Sequence, residues 1–280
     1  MSPTRFMLCA DDYALTPGVS HGILDLIAAG RLSATGVMSN RRAWAEGAQD
    51  LRAMAERVDV GLHLNLTQGE PLGDMPHLAP GGELPSLGEM LKRVSLGRID
   101  YDEIRAEIGR QLDAFEQAMG RAPDFLDGHQ HVQVLPGIRR ALLDELTARG
   151  LAGKLSLRDS ADALPRIFTR RIEAGKAATV AAFGRGFGAS ARRHGFAVNE
   201  GFAGFSAFDP RRDYGNDFRR FLMAPGERHL VMCHPGRVDA ELAASDPVVE
   251  TRRAELEFFL SNRFTDLLAQ ADSALSRWNS

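Results

Sequence analysis

Short apolar runs alternate with longer amphipathic ones along almost the whole chain, and this constrains its fold more than any other feature. The apolar runs are Phe6 to Ala10, Ala34 to Ser39, Val58 to Leu66, Asp124 to Asp127, Leu155 to Arg158, Phe202 to Phe208 and His229 to Cys233. Between them lie helical patterns at Val19 to Ala29, Arg42 to Arg57, Tyr101 to Met119 and Pro136 to Arg149, an interrupted one over Leu164 to His194, and two more over 247–260 and 262–277. In Tyr101 to Met119, residues Ile104, Ile108, Leu112 and Phe115 form one apolar stripe. Strand and helix in alternation predict an α/β protein with a mostly parallel sheet. Seven strands suit an incomplete (β/α) barrel. Without repeat or linker, residues 1–280 read as a single domain. Pro71, Pro76, Pro80, Gly81, Gly82 and Pro85 mark 67–99 as an irregular excursion beside the mouth of the fold.

Composition narrows the function. Lys and Arg total 34 against 37 Asp and Glu, a balance that argues against nonspecific nucleic-acid binding. No apolar stretch approaches the length of a membrane span. Two cysteines make no disulfide framework. Cys9 and Cys233 read as buried apolar strand residues, and nothing before Asp11 resembles a secretory signal, so the expected compartment is reducing and cytoplasmic.

Polar residues follow the apolar runs directly. Asp11 and Asp12 follow the first, His63 interrupts the third, His129 and His131 follow Phe125-Leu126-Asp127-Gly128, and His234 follows Cys233. In parallel α/β folds the C-terminal strand ends share one rim, where ligand sites are built. One Asp and two His brought there meet the ligand count of a catalytic divalent metal with an open position. Each element also has a plain reading: a helix cap for the Asp pair, a hydrogen-bonded interior histidine for His63, a turn for His-Pro-Gly at 234–236. His21, His77, His194 and His229 lack the placement and are treated as background.

The segments Cys9-Ala10-Asp11-Asp12-Tyr13-Ala14-Leu15, Gly61-Leu62-His63-Leu64-Asn65-Leu66-Thr67, Leu126-Asp127-Gly128-His129-Gln130-His131-Val132 and His234-Pro235-Gly236 occur in the order seen in the YdjC-like carbohydrate deacetylases. That family includes chitooligosaccharide deacetylases and hopanoid-associated deacetylases. The resemblance runs from about residue 5 to about 260. It implies a deformed, seven-stranded (β/α) barrel resembling the polysaccharide deacetylases, and metal-dependent removal of an acetyl group from an N-acetylated sugar or oligosaccharide. By the same resemblance Asp12, His63 and His129 hold one divalent ion, Mg²⁺ or Zn²⁺. Asp11 is then the base for the metal-bound water and His234 the acid for the leaving amine. His131 becomes an outer or substrate-facing group, although Gln130 and Gln133 stand where some relatives carry histidines, which keeps His131 open as the third ligand.

Arg158, at the end of Leu155-Ser156-Leu157, resembles the family's strand-end arginine that would hold Asp11 ionised; a surface arginine is the alternative. The stretch 166–193, with Arg166, Arg170, Arg171, Lys176, Arg185, Arg192 and Arg193, reads first as a solvated helix face and second as a site for an anionic sugar. Tyr13, Trp44, Tyr214 and the Phe202, Phe205, Phe208 set offer a sugar-stacking platform, the phenylalanines being better explained as barrel wall. A metal-dependent phosphoesterase on the same scaffold is the competing function. Residues 67–99 and 163–195 offer a homodimer contact.

Overall fold

A computed structural model describes residues 3–278. Nine strands among the described residues join one sheet: β1 (Thr4–Tyr13), β2 (Ala34–Val37), β3 (Asp59–Leu64), β4 (Phe125–Gly128), β5 (Ser156–Leu157), β6 (Ala197–Val198), β7 (Phe202–Ala203), β8 (His229–Cys233) and β9 (Ser273–Leu275). Their order is β6-β5-β4-β3-β2-β1-β8-β7, with β9 added to the start of β1, and every ladder is parallel. The terminal strands of that order, β6 and β7, are separated in sequence only by residues 199–201. A linker that short reaches roughly 10 Å when extended, so the sheet must curl until its ends nearly meet. The result is the deformed (β/α) barrel expected, unclosed between β6 and β7. The two strands beyond seven arise because β6 and β9 have two and three residues, too few to show a period.

Helices cover the outside: α1 (Pro17–Ala28), α2 (Ala43–Met54), α3 (Leu87–Ser95), α4 (Tyr101–Met119), α5 (Ile138–Ala148), α6 (Leu164–Arg170), α7 (Ala174–Phe183), α8 (Phe187–Arg193), α9 (Tyr214–Phe221), α10 (Ala240–Ser245), α11 (Glu250–Leu260) and α12 (Asn262–Gln270). Successive residues of β1 point to opposite faces. Phe6, Leu8 and Ala10 therefore pack outward against the helices, while Met7 and Cys9 face the interior with Phe125, Phe202, Leu230 and Met232. Both cysteines are buried and free. Trp278 stacks on Phe125, 6.1 Å between ring centroids, and fills the barrel interior. The stripe of α4 (Ile104, Ile108, Leu112, Phe115) is fully buried, as its spacing requires. Among the described residues no helix is long and apolar enough to cross a membrane.

Three expectations need correction. The 67–99 excursion contains α3, whose first turn is capped by Ser86 accepting from the Glu89 amide and braced by the Glu89–Arg93 pair. The helix expected to run to 277 stops at Gln270, after which Asp272 takes a left-handed φ of 44° and the chain turns into β9. Phe202 to Phe208 is strand only at Phe202–Ala203, because Gly204 at φ 114° and Phe208 at φ 51° break the extended path.

Candidate metal and catalytic centre

β1 ends in a bulge. Its register against β2 shifts between Ala10 and Tyr13, and Asp12 adopts φ 69°. In an undistorted strand Asp11 and Asp12 would face opposite sides of the sheet. The left-handed residue re-aims the second carboxylate, so both line one cavity of about 480 Å³ at the rim, together with His63, His129, His131 and His234.

Asp12 Oδ1 lies 2.9 Å from His129 Nδ1 and 3.3 Å from His63 Nε2. One ligand atom from each of Asp12, His63 and His129 falls within 4.8 Å of the others. His63 is oriented from behind: its Nδ1 is 2.6 Å from Asp127 Oδ1, on the adjacent strand β4 in direct register. A ring that donates Nδ1–H to a carboxylate presents the Nε2 lone pair forward, the arrangement metal-ligating histidines use. Two imidazoles and one carboxylate, buried and with an oriented outer partner, fit a divalent cation. Burial alone would lower the His63 pKa, but Asp127, Asp11 and Asp12 reverse this and raise it to about 10. The acidic surroundings thus already favour a cation at this point.

Asp11 is held separately. Arg158 Nη1 donates to Oδ2 and Nη2 to Oδ1, both at 2.6 Å, and Nη2 also lies 2.5 Å from Asp127 Oδ2. Arg158 is wholly buried, which disposes of the surface reading. Burial would raise the Asp11 pKa; the Arg158 charge and hydrogen bonds, with His63, bring it down to about 2. Cys9, Asp11 and Asp127 also lie close together, but Arg158 already sits between the two carboxylates as their cation.

His234 lines the same cavity, and its backbone N–H donates to Glu255 Oε2 at 2.6 Å. Its ring packs 5.4 Å from Phe208 and, mainly through burial, its pKa falls to about 4. His131 stands outside the Asp12 group. At φ 63° it turns its ring against Phe202 and Phe205, and burial with the Arg158 charge lowers its pKa to about 3.

The proposed stacking platform does not form as expected. Tyr13 is buried and donates to the Gly47 carbonyl, Trp44 stacks on Phe115, and Tyr214 lies among Phe218, Phe258 and Phe259. Phe202 is interior wall, Phe205 belongs to the same interior cluster and also borders the cavity, and Phe208 lines the cavity. The basic stretch divides too. Arg171, Arg185, Arg192 and Arg193 are exposed, whereas Arg170 is buried on Asp162 and the carbonyls of Phe202, Met223 and Ala224. Of this run only Lys176 lines the cavity, so the stretch does not build an anion site there.

Asp127, Arg252 and Glu255 escaped the sequence reading. Asp127 stands two residues before His129 at a strand end and carried the same signal as the histidines. Arg252 and Glu255, on the amphipathic α11, carried none.

The model of the family described as YdjC-like protein matches residues 5–270. A mouse protein named carbohydrate deacetylase is 31% identical over 253 residues, 83% of this chain and 78% of its own length. A chitooligosaccharide deacetylase of Serratia marcescens is 35% identical over 150 residues, 52% of this chain and 57% of its own. Among solved structures, an Enterococcus faecalis protein provisionally described as a cellobiose-phosphate cleavage protein superposes with a TM-score of 0.75 at 19% identity, covering 99% of this chain and 98% of that one. This last match is one of fold.

Proposed function

The chain belongs to the YdjC-like family and is an enzyme of the carbohydrate deacetylase kind; from its site we propose the finer reading, a metal-dependent hydrolase that removes the N-acetyl group from an acetamido sugar or short oligosaccharide. The observation that carries it is the pairing of an ionised, fork-bound Asp11 with the neighbouring Asp12, His63 and His129 group. Asp12, His63 and His129 would hold one divalent ion. When bound, such an ion polarises a carbonyl oxygen and acidifies water.

The rest is the work of the chain. Asp11 accepts the proton of a water as its oxygen attacks the acetyl carbon. Arg158 keeps Asp11 charged and aimed, since rotation would break two charge-assisted hydrogen bonds. Breaking the C–N bond requires a proton on nitrogen, because an amide anion is a very poor leaving group. His234 supplies it in this reading by passing on the proton that Asp11 took from the water: burial lowers its pKa to about 4, so the imidazolium formed in that transfer gives the proton up readily to the departing amine. Residues 1–280 act as one catalytic domain in this reading.

The test is acetate release from N-acetylated chitooligosaccharides by the purified protein supplied with Mg²⁺, Zn²⁺ or Co²⁺. No release across a broad panel of acetamido sugars, with metal demonstrably bound, would overturn it.

A further inference from the structure

Asp12 is divided between two tasks. Its Oδ1 faces His63 and His129, while its Oδ2 accepts a 2.7 Å hydrogen bond from Arg252 Nη2. Arg252 comes from α11, 240 positions away, and is 2% exposed. The same Nη2 lies 3.2 Å from Asp246, and Nε donates to the Val248 carbonyl. Nη1 is buried with no hydrogen-bond partner among the described residues, on a side chain that lines the cavity. A structural ion pair alone would not need to place a buried guanidinium at the wall of the cavity against a candidate ligand.

We propose that Arg252 is a positioning residue that makes Asp12 a one-oxygen ligand and withholds its charge from the ion. This rests on the reading of Asp12, His63 and His129 as the metal site. While Oδ2 is tied, Asp12 can offer only Oδ1, so a position around the ion stays open. Because Arg252 already balances the carboxylate, an ion bound there keeps more of its own charge than it would beside a free aspartate. Arg252 thus trades metal affinity for a stronger electrophile. A purely structural arginine predicts the opposite: its loss would loosen Asp12 and weaken metal binding.

Cobalt(II) distinguishes the two, read by visible absorption during titration of protein stripped with a chelator. Arg252→Met, with its fold checked by circular dichroism, is expected to bind cobalt at least about tenfold more tightly than wild type, since a buried cation no longer opposes the ion. Its d–d bands should weaken as Asp12 closes on the metal with both oxygens. Arg252→Gln, a milder change, removes the charge but keeps a donor, so it should gain affinity with a near wild-type spectrum. Both should lose kcat for acetate release. Cobalt affinity unchanged or reduced in the folded variants overturns the proposal, and Gln alone decides if Met does not fold. A wild-type protein that takes up no cobalt at this site would instead bring down the metal reading itself, and this inference with it.

Discussion

Arg158 grips Asp11 with both arms: each terminal nitrogen of the guanidinium sits 2.6 Å from a different carboxylate oxygen, in a buried pair at the cavity wall. The two residues are 147 positions apart and lie at the ends of β5 and β1. The base of the proposed reaction is therefore a rigid, ionised group.

Asp11→Asn should lower kcat about 10²- to 10⁴-fold while leaving metal uptake in place, since general-base catalysis contributes on that scale. Arg158→Met should cost about 3–5 kcal/mol of stability by stranding buried carboxylates. The Asp11 pKa lies at about 2 against an ordinary 3.8. Its contribution to stability is thus present above pH 3.8 and is lost as pH falls through about 2. Acid unfolding followed by circular dichroism should show that loss in wild type and not in Asp11→Asn.

Glu255 behaves oppositely. Burial raises its pKa to about 7, against the N–H of His234, the charge of Arg252 and the hydroxyl of Tyr214, all of which pull it down. A raised pKa means the folded protein holds the proton more tightly, so this contribution is complete below pH 4.5 and disappears as pH rises through 7. Glu255→Gln cannot titrate. Urea midpoints should show wild type losing, relative to this variant, on the order of 3 kcal/mol across that interval. A constant difference would contradict the assignment.

Gln111 acts as a surrogate strand at the end of β3. Its Oε1 accepts from the Asn65 amide at 3.0 Å and its Nε2 donates to the Asn65 carbonyl at 2.7 Å. Gln111→Leu would strand both backbone groups, at about 1–3 kcal/mol each. Thermal melts should register that loss, and the metal affinity should fall as well because His63 lies two residues upstream.

Phe208 tests the cavity wall. Its ring meets that of His234 at 5.4 Å and lies under Lys176 Nζ at 5.1 Å. Phe208→Ala should reduce kcat/KM roughly 2- to 10-fold, the scale of an aromatic contact, with little change in melting temperature. Phe218, fully buried and in contact with Phe6, Phe258, Phe259 and Phe264, provides the contrast. Phe218→Ala should cost about 3–5 kcal/mol.

Legibility in the sequence followed distance along the chain. Apolar period and strand-end polarity were sufficient to mark Asp11, Asp12, His63, His129 and His234, because each announces itself beside its own strand. The same logic leaves Asp127 as a strand residue, because only the register of β4 on β3 sets its carboxylate against His63. Buried Arg170 read as solvated because charge in a helical segment carries no sign of which face turns inward.

Local pattern alone settled the alternation of strand and helix and the chemistry available at the strand ends. Tertiary structure decided how that chemistry is divided. The left-handed turn at Asp12 brings two adjacent carboxylates into one cavity, and then Arg158 and Arg252, arriving from β5 and α11, claim one each. Neither choice is written locally, since a buried ion pair depends on which charges the closing sheet and its helices leave with no other partner, and that is known only when the chain has folded.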